Sequence, residues 1–178
     1  MRGKEGSIGS SVIVLDATAF YAGIPLLSSS GFYTTTAVLE EVRHIKKSIE
    51  AVDLLVEVGN LRVLDPGGEY TLKAREYAER MGEHRLSDAD ISLIALALML
   101  MPSHEVTIVT DDYGVANVAR AMGFRVSHTI SKGIREIGVW VRYCKVCKVT
   151  YDDASRVCRI CGNEVRLRLV RRGSANDA

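Results

Sequence analysis

All four cysteines of this chain fall between residues 144 and 161, as Cys144-x2-Cys147 and Cys158-x2-Cys161 with ten residues between the pairs. Each C-x-x-C places two thiolates on one tight turn, and two such turns complete a tetrahedral Zn2+ site. Residues 144–164 are therefore predicted to form a small zinc ribbon of two short hairpins. Two disulfides or a set of redox-active thiols are the alternatives. No charged-then-apolar leader opens the sequence and no other cysteine is present, which favours zinc and an expected cytoplasmic location. A site closed by four cysteines has no open position for a substrate, so this zinc is expected to be structural.

The charges divide at the same place. Residues 1–131 carry 12 Lys+Arg against 17 Asp+Glu, and residues 132–178 carry 11 against 5, so the formal net charge of +1 hides an acidic body and a basic tail piece. With 47% hydrophobic residues in 178, disorder is excluded as the main state, and one domain plus a small module is the expected organisation. The longest apolar run, from Ile91 to Met101, is broken only by Ser92 and is too short to span a bilayer. The Gly- and Ser-rich residues 1–11, and residues 172–178, are expected to be disordered.

Short β-branched runs alternate with amphipathic stretches over residues 12–127. Strands are predicted at 12–15, 32–35, 61–64, 106–109 and 124–126. Helices are predicted at 17–22, 37–47 with Thr36 as N-cap, 49–58, 72–81 (after a break at Asp65-Pro66-Gly67-Gly68), 87–101 and 113–122. Continuous apolar strands separated by helices indicate an α/β domain with a mainly parallel, buried sheet. Residues 128–143 read as a connector to the ribbon.

In such a sheet the ligand site lies beyond the carboxyl ends of the strands. Two predicted strands end directly in acid, at Asp16 and at Asp111-Asp112. A third acidic position falls at Glu40 or Glu41 on the helix after the Thr-rich strand, and a fourth in Leu86-Ser87-Asp88-Ala89-Asp90. Crowded carboxylates repel one another unless they are protonated or share cations. A hard divalent ion such as Mg2+ or Mn2+ takes oxygen ligands, neutralises the group and activates a water for attack on a phosphodiester. Each acid also has an ordinary structural use. Asp90 stands three residues after Ser87, a capping-box spacing, and Asp111 or Asp112 can cap the helix that starts at Tyr113. One of Glu40 and Glu41 is expected to be solvated. Asp16 is the strongest candidate, because no helix is expected to need a cap there. His44, His84, His104 and His128 are scattered without ligand spacing, and no phosphate-binding G-x-x-x-x-G-K-[ST] loop or nucleophile elbow is present.

Around the cysteines lie Arg142, Lys145, Lys148, Arg156, Arg159, Arg166, Arg168, Arg171 and Arg172. A basic module beside an acidic site suits nucleic acid, the module gripping phosphates while the site cuts one. Trp140, Tyr143 and Tyr151 can stack on bases or serve equally as the packing of a minimal module.

Four stretches, taken together with the cysteine pairs, resemble a known family. They are Val14-Leu15-Asp16-Ala17-Thr18-Ala19-Phe20, Thr36-x4-Glu41-Val42, Leu86-Ser87-x2-Asp90-Ile91 and Thr110-Asp111-Asp112-Tyr113-Gly114-Val115-Ala116-Asn117-Val118-Ala119. Residues 12–127 resemble a PIN domain, and the combination with Ser155-Arg156-Val157-Cys158-x2-Cys161-Gly162-Asn163 is similar to the ribosome-assembly endonucleases of the Nin-one-binding family, archaeal members in particular. The resemblance implies a three-layer PIN-like fold with a C-terminal zinc ribbon. It also implies an Mn2+- or Mg2+-dependent endoribonuclease that processes the 3′ end of small-subunit pre-rRNA in a ribosomal precursor. Carried over by position, Asp16, Glu41, Asp90 and Asp112 hold the catalytic metal, with Asp111 a fifth candidate. Glu41 is preferred to Glu40 because it directly precedes the aliphatic residue. Ser87 and Thr110 are placed to bond the carboxylates. Two other functions compete: a PIN toxin that cuts tRNA or mRNA, which usually lacks a ribbon, and a non-catalytic RNA-binding assembly factor.

Overall fold

The computed structural model describes residues 10–26, 31–43, 49–129, 138–151, 153 and 155–171. The expected disordered ends lie largely outside these residues, although Ser11 already belongs to the first strand. Five parallel strands form the main sheet: β1 (Ser11–Leu15), β2 (Phe32–Thr34), β3 (Leu61–Val63), β4 (Glu105–Val109) and β5 (Arg125–Ser127), in the order β3-β2-β1-β4-β5. The chain builds outward from β1 first on one side and then on the other, which creates a switch point at the carboxyl ends of β1 and β4. In register, Leu15 stands opposite Val109, so the residues that follow each strand, Asp16 and Thr110, emerge side by side.

The helices are α1 (Ala17–Tyr21), α2 (Thr36–Arg43), α3 (Ile49–Glu57), α4 (Gly68–Arg80), α5 (Asp88–Leu100) and α6 (Tyr113–Ala121). Helix α5 is the spine of the domain. Ile91, Leu93, Ile94, Ala95, Leu96, Ala97 and Leu100 are all buried, and it packs on α2, α4, α6, β1 and β4, which is why its sequence is apolar on every face. At the end of α3, Gly59 takes φ +77° and Asn60 N–H donates to Leu55 C=O, a left-handed cap that turns the chain into β3.

Three boundaries differ from the sequence expectation. The cap of α2 is Thr35, whose hydroxyl accepts from Val38 N–H (3.3 Å); Thr36 opens the helix and bonds Asp65 through both its N–H (2.9 Å) and its hydroxyl (2.6 Å). Residues 44–48, the end of the predicted helix, lie outside the described residues. Helix α4 starts at Gly68 rather than Leu72, since Gly67 is tolerated as an N-cap and Glu69 suits the positive end of the helix dipole. Most of all, the last six residues of the predicted connector are strand. β6 (Gly138–Tyr143) pairs antiparallel with β7 (Thr150–Tyr151) and with β8 (Arg166–Arg171) in a second sheet of order β7-β6-β8. The alternation Arg-Leu-Arg-Leu-Val-Arg of β8 has the period of two that marks a strand, a signal concealed when those arginines are read only as charge.

Among the described helices none is long and apolar enough to cross a membrane.

Candidate active site and cysteine cluster

The run Val12-Ile13-Val14-Leu15 is buried in the middle of the sheet, so it delivers Asp16 to the switch point with only 5% of its surface exposed. Every oxygen of that carboxylate is engaged. Oδ1 accepts from Ala17 N–H (2.7 Å), and Oδ2 accepts from the hydroxyls of Thr110 (2.6 Å) and Thr18 (3.1 Å). The bond to Ala17 makes Asp16 the N-cap of α1, so the expectation that no helix needed it was incorrect; it caps a helix and faces the site at once.

Thr110 is shared. Its hydroxyl also accepts from Asp112 N–H (3.0 Å), and Asp112 in turn caps α6 through Val115 N–H (2.9 Å). Helix α5 begins with a full capping box. Ser87 Oγ accepts from Asp90 N–H (3.1 Å), while Asp90 Oδ2 accepts from Ser87 N–H (2.8 Å) and hydroxyl (2.9 Å). The same Ser87 side chain lies close enough to Glu41 to lower its carboxyl against the other influences there. The caps of three helix ends thus carry three of the candidate acids, Asp16, Asp90 and Asp112, so a structural use at each position does not remove it from the candidate site.

The electrostatics tie Asp16, Glu41, Asp90 and Asp112 together. Burial raises the Asp16 carboxyl above its ordinary value against the pull of its three hydrogen bonds, and the charge of Asp112 adds to the rise. Burial likewise raises Asp90, with Asp112 and Asp16 adding repulsion, and raises Glu41, with Asp90 and Asp16 adding to it. No Lys or Arg figures among the leading influences on these three acids. The repulsion between these acids is the electrostatic condition that a hard divalent ion relieves.

The neighbouring acids go elsewhere. Asp111 turns away from this group to the N–H of Thr129 (2.9 Å) and to the Thr129 hydroxyl, with His128 Nδ1 at 3.7 Å. Asp88 leaves 92% of its side chain exposed and pairs with Arg75 at 2.9 Å. Glu40 is exposed.

Two residues of the site escaped the sequence reading. Tyr21, at the end of α1, lies near enough to Glu41 and Asp16 for their charges to raise its hydroxyl pKa, after burial, which is the larger cause. Glu83 is 9% exposed and bonded by Asn117 Nδ2 at 2.7 Å. Burial raises its carboxyl most, and Asp112 contributes to the rise. The turn between two helices gave no pattern that distinguishes Glu83 from a surface acid.

The cysteines form a second centre of different character. All four are free thiols, and their sulfurs lie within 4.8 Å of one another. Among the described residues this is the one group of three or more candidate ligands drawn so tightly. The two C-x-x-C turns repeat each other. Cys144 N–H donates to Val149 C=O (2.9 Å) as Cys158 N–H does to Asn163 C=O (2.7 Å), and Lys148 and Gly162 close both turns with φ of 60° and 72°. Lys148 therefore occupies a left-handed position without the freedom that glycine gives its counterpart. The Tyr151 hydroxyl and nearby backbone N–H groups pull the Cys158 thiol down to about 6, Asn163 lowers Cys161, and Cys147 is pushed up to about 12 by its bonds to those sulfurs. Among the described residues the buried core of this module is Cys144, Cys158 and Val165, with Cys147 and Tyr151 packed against them, so the sulfur cluster lies at its centre. A cluster so arranged fits a zinc ribbon.

The basic residues divide. Arg159 pairs with Asp153, Arg166 with Glu164 at 3.4 Å, and Arg168 lies over the Tyr143 ring at 4.9 Å. Lys145, Lys148 and Arg156 are exposed and Arg142 is half-buried.

Comparisons with known proteins agree with this architecture. Residues 13–100 match the PIN domain of ribonuclease. The chain is 33% identical over 163 residues to Endoribonuclease Nob1 of Methanocaldococcus jannaschii, a match that covers 90% of this chain and 79% of that protein. It is 33% identical over 156 residues to Endoribonuclease Nob1 of Methanothermobacter thermautotrophicus, covering 85% and 90%. Ribonuclease VapC3 of Aeropyrum pernix is 40% identical over 120 residues, 66% of this chain and 86% of that one.

Proposed function

Because this chain belongs to the Nob1 endoribonuclease family of PIN-domain proteins, we propose that it is a divalent-metal-dependent endoribonuclease that processes the 3′ end of small-subunit pre-rRNA within a ribosomal precursor. The observation that carries this reading is the mutually repelling carboxylate group of Asp16, Glu41, Asp90 and Asp112 at the switch point. Its donors are hard oxygens, suited to Mn2+ or Mg2+. A bound cation of this kind neutralises charge on the scissile phosphate and lowers the pKa of a water.

The chain's own residues hold and orient. Thr110 and Thr18 fix Asp16 from one side and Ala17 N–H from the other, so its carboxylate keeps one direction without a metal. Ser87 does the same for Asp90 through its N–H and hydroxyl, and lies beside Glu41. Asp112 is held by the first turn of α6. The four cysteines are proposed to hold one structural zinc. Arg142, Lys145, Lys148 and Arg156 are proposed to bind RNA phosphates, with Arg159, Arg166 and Arg168 nearer the edge of that surface.

A toxin-like ribonuclease is the second reading, favoured by the 40% identity to VapC3 over the nuclease region. One assay separates these from a non-catalytic assembly factor. The protein is incubated with Mn2+ and an RNA spanning the small-subunit 3′ end, beside an unrelated RNA, and compared with Asp16→Asn. Cleavage confined to the first RNA and abolished in the variant is expected. Indiscriminate cutting favours the toxin, and no Mn2+-dependent cutting of either RNA leaves the binding factor.

A further inference from the structure

Glu83 joins three parts of the molecule: the α4–α5 turn, α6 and β6. It sits in the turn between α4 and α5, four residues before Ser87, the cap that bonds Asp90 and lies beside Glu41. Its Oε1 accepts from Asn117 Nδ2 of α6 at 2.7 Å. It also accepts a bond from the side chain of Trp140 on β6, whose indole N–H is its single donor.

Its other oxygen stands beside the first turn of α6. A Cβ on Gly114 would lie 3.2 Å from Glu83 Oε2 and 3.2 Å from Asp112 Oδ1, so the two carboxylates flank one glycine in the first turn of α6. The same Cβ would meet Leu86 Cδ2 at 2.8 Å, so a larger residue at Gly114 would have to displace Leu86 and crowd both carboxylates.

The backbone next to Glu83 is docked on the same tryptophan. Trp140 N–H donates to Met81 C=O at 3.0 Å, and Gly82, with φ +72°, passes so close that a Cβ there would stand 2.3 Å from the Trp140 carbonyl oxygen. The Trp140 ring meets Tyr113, the residue after Asp112, edge-on at 6.4 Å. Residues 81–83 therefore clasp β6 of the second sheet, and Glu83 carries that clasp into the helix whose N-cap is Asp112.

We infer that Glu83 is a positioning residue that locks the second sheet to the nuclease domain through Trp140 and, through Asn117 and Gly114, sets the place of Asp112. Its effect on the site passes through Asp112. The catalytic consequence rests on the nuclease reading above, while the structural coupling does not.

Trp140 is the single tryptophan of the chain, so its fluorescence reports the docking directly. The zinc-loaded full chain is studied without Mn2+ or RNA. In Glu83→Ala, quenching of Trp140 by acrylamide is expected to rise about twofold as the indole loses its buried partner. The side-chain carboxyl 13C resonance of Asp112, assigned by its loss in Asp112→Asn, is expected to move while that of exposed Asp53 stays. Glu83→Gln keeps an oxygen acceptor for Trp140 and Asn117 and is expected to restore the protection. Trp140→Phe, which keeps a ring but removes the N–H, is expected to shift the Asp112 resonance as Glu83→Ala does. An Asp112 resonance unmoved in both Glu83→Ala and Trp140→Phe would overturn the inference, as would unchanged Trp140 quenching in Glu83→Ala. If Glu83→Ala does not fold, Glu83→Gln and Trp140→Phe decide the question by the same resonance. With RNA, Glu83→Ala is expected to lower kcat about tenfold to a hundredfold with little change in KM. A wild-type protein that cuts no RNA sinks the nuclease reading and leaves the two spectroscopic readouts to judge the coupling.

Discussion

The molecule carries two places suited to a metal ion, built on opposite plans. At the cysteine cluster four sulfurs are drawn within 4.8 Å of one another by two repeated turns, with Val165 and Tyr151 packed against them. At the switch point the acids are spread over the ends of β1, α2, α5 and α6, and Asp16, Asp90 and Asp112 are already bonded to Ser, Thr or backbone groups of a domain whose core needs no ion. The first plan makes the ion part of the fold. The second makes it a guest of a finished fold, with room for water and substrate.

Removing each ion breaks this contrast if it is false. Chelation of zinc, or Cys158→Ser, is expected to unfold the second sheet, because a structural zinc of this type contributes about 10–16 kcal/mol of binding free energy to folding. Heteronuclear NMR should then lose the dispersed resonances of residues 138–171 and keep those of the main sheet. Withholding Mn2+ is expected to move few backbone resonances. A main sheet that collapses with the zinc would mean that the nuclease domain does not stand without the ribbon.

The next effect sharpens the acidic site itself. Asp111 and Asp112 are adjacent in sequence but face apart, one toward Thr129 and the other into the carboxylate group. Asp112→Asn is expected to reduce kcat about a hundredfold or more. Asp111→Asn is expected to stay within about threefold, its loss falling on the Thr129 bonds, which are worth about 1 kcal/mol in stability. Equal losses in the two variants would show that the structure divides them wrongly.

Much of this was legible beforehand, and the reasons are specific. Asp16 could be found because a buried parallel strand must run continuously apolar and stop where the sheet stops. The paired cysteine turns could be found because ligand spacing is local. The choice between Asp111 and Asp112 could not, since it depends on Thr129, which approaches only after β5 has formed. Glu83 was invisible for the same reason. It becomes a buried acid through Trp140 and Asn117, 57 and 34 residues away in the chain, and nothing in its own neighbourhood announces either partner. The second sheet was half seen, because β8 advertised charge more loudly than its alternating apolar residues.

The two centres also part in their response to acid. Asp16, Glu41 and Asp90 all have raised pKa values without metal, so their protonated forms persist to a higher pH than ordinary carboxylates near about 4. Protons must leave before a cation enters. Mn2+ affinity, followed by the electron paramagnetic resonance of the free ion, is therefore expected to fall about tenfold between about pH 7 and pH 5. Affinity that holds steady until about pH 4 would contradict the crowding of these acids.

The smallest effect concerns the basic face of the ribbon, where charge and availability are different things. Arg159 and Arg166 are partly neutralised by Asp153 and Glu164, and Arg168 is laid over Tyr143. Lys145, Lys148 and Arg156 stand exposed. A cation that neutralises a phosphate releases counterions, and for single strands each such pairing adds about 0.7 to the slope of log affinity against log salt. Alanine at Lys145, Lys148 or Arg156 is expected to lower the measured slope by about that amount, with a few-fold loss of affinity near 0.1 M salt. Alanine at Arg159 or Arg166 changes the net charge by the same amount, but the guanidinium it removes was already shared with a carboxylate. Its effect on the slope is expected to be less than half as large. Fluorescence anisotropy of a labelled RNA over a salt series measures both groups. Equal slopes would mean that the ion pairs open on binding and that the ribbon presents all its positive charge to RNA.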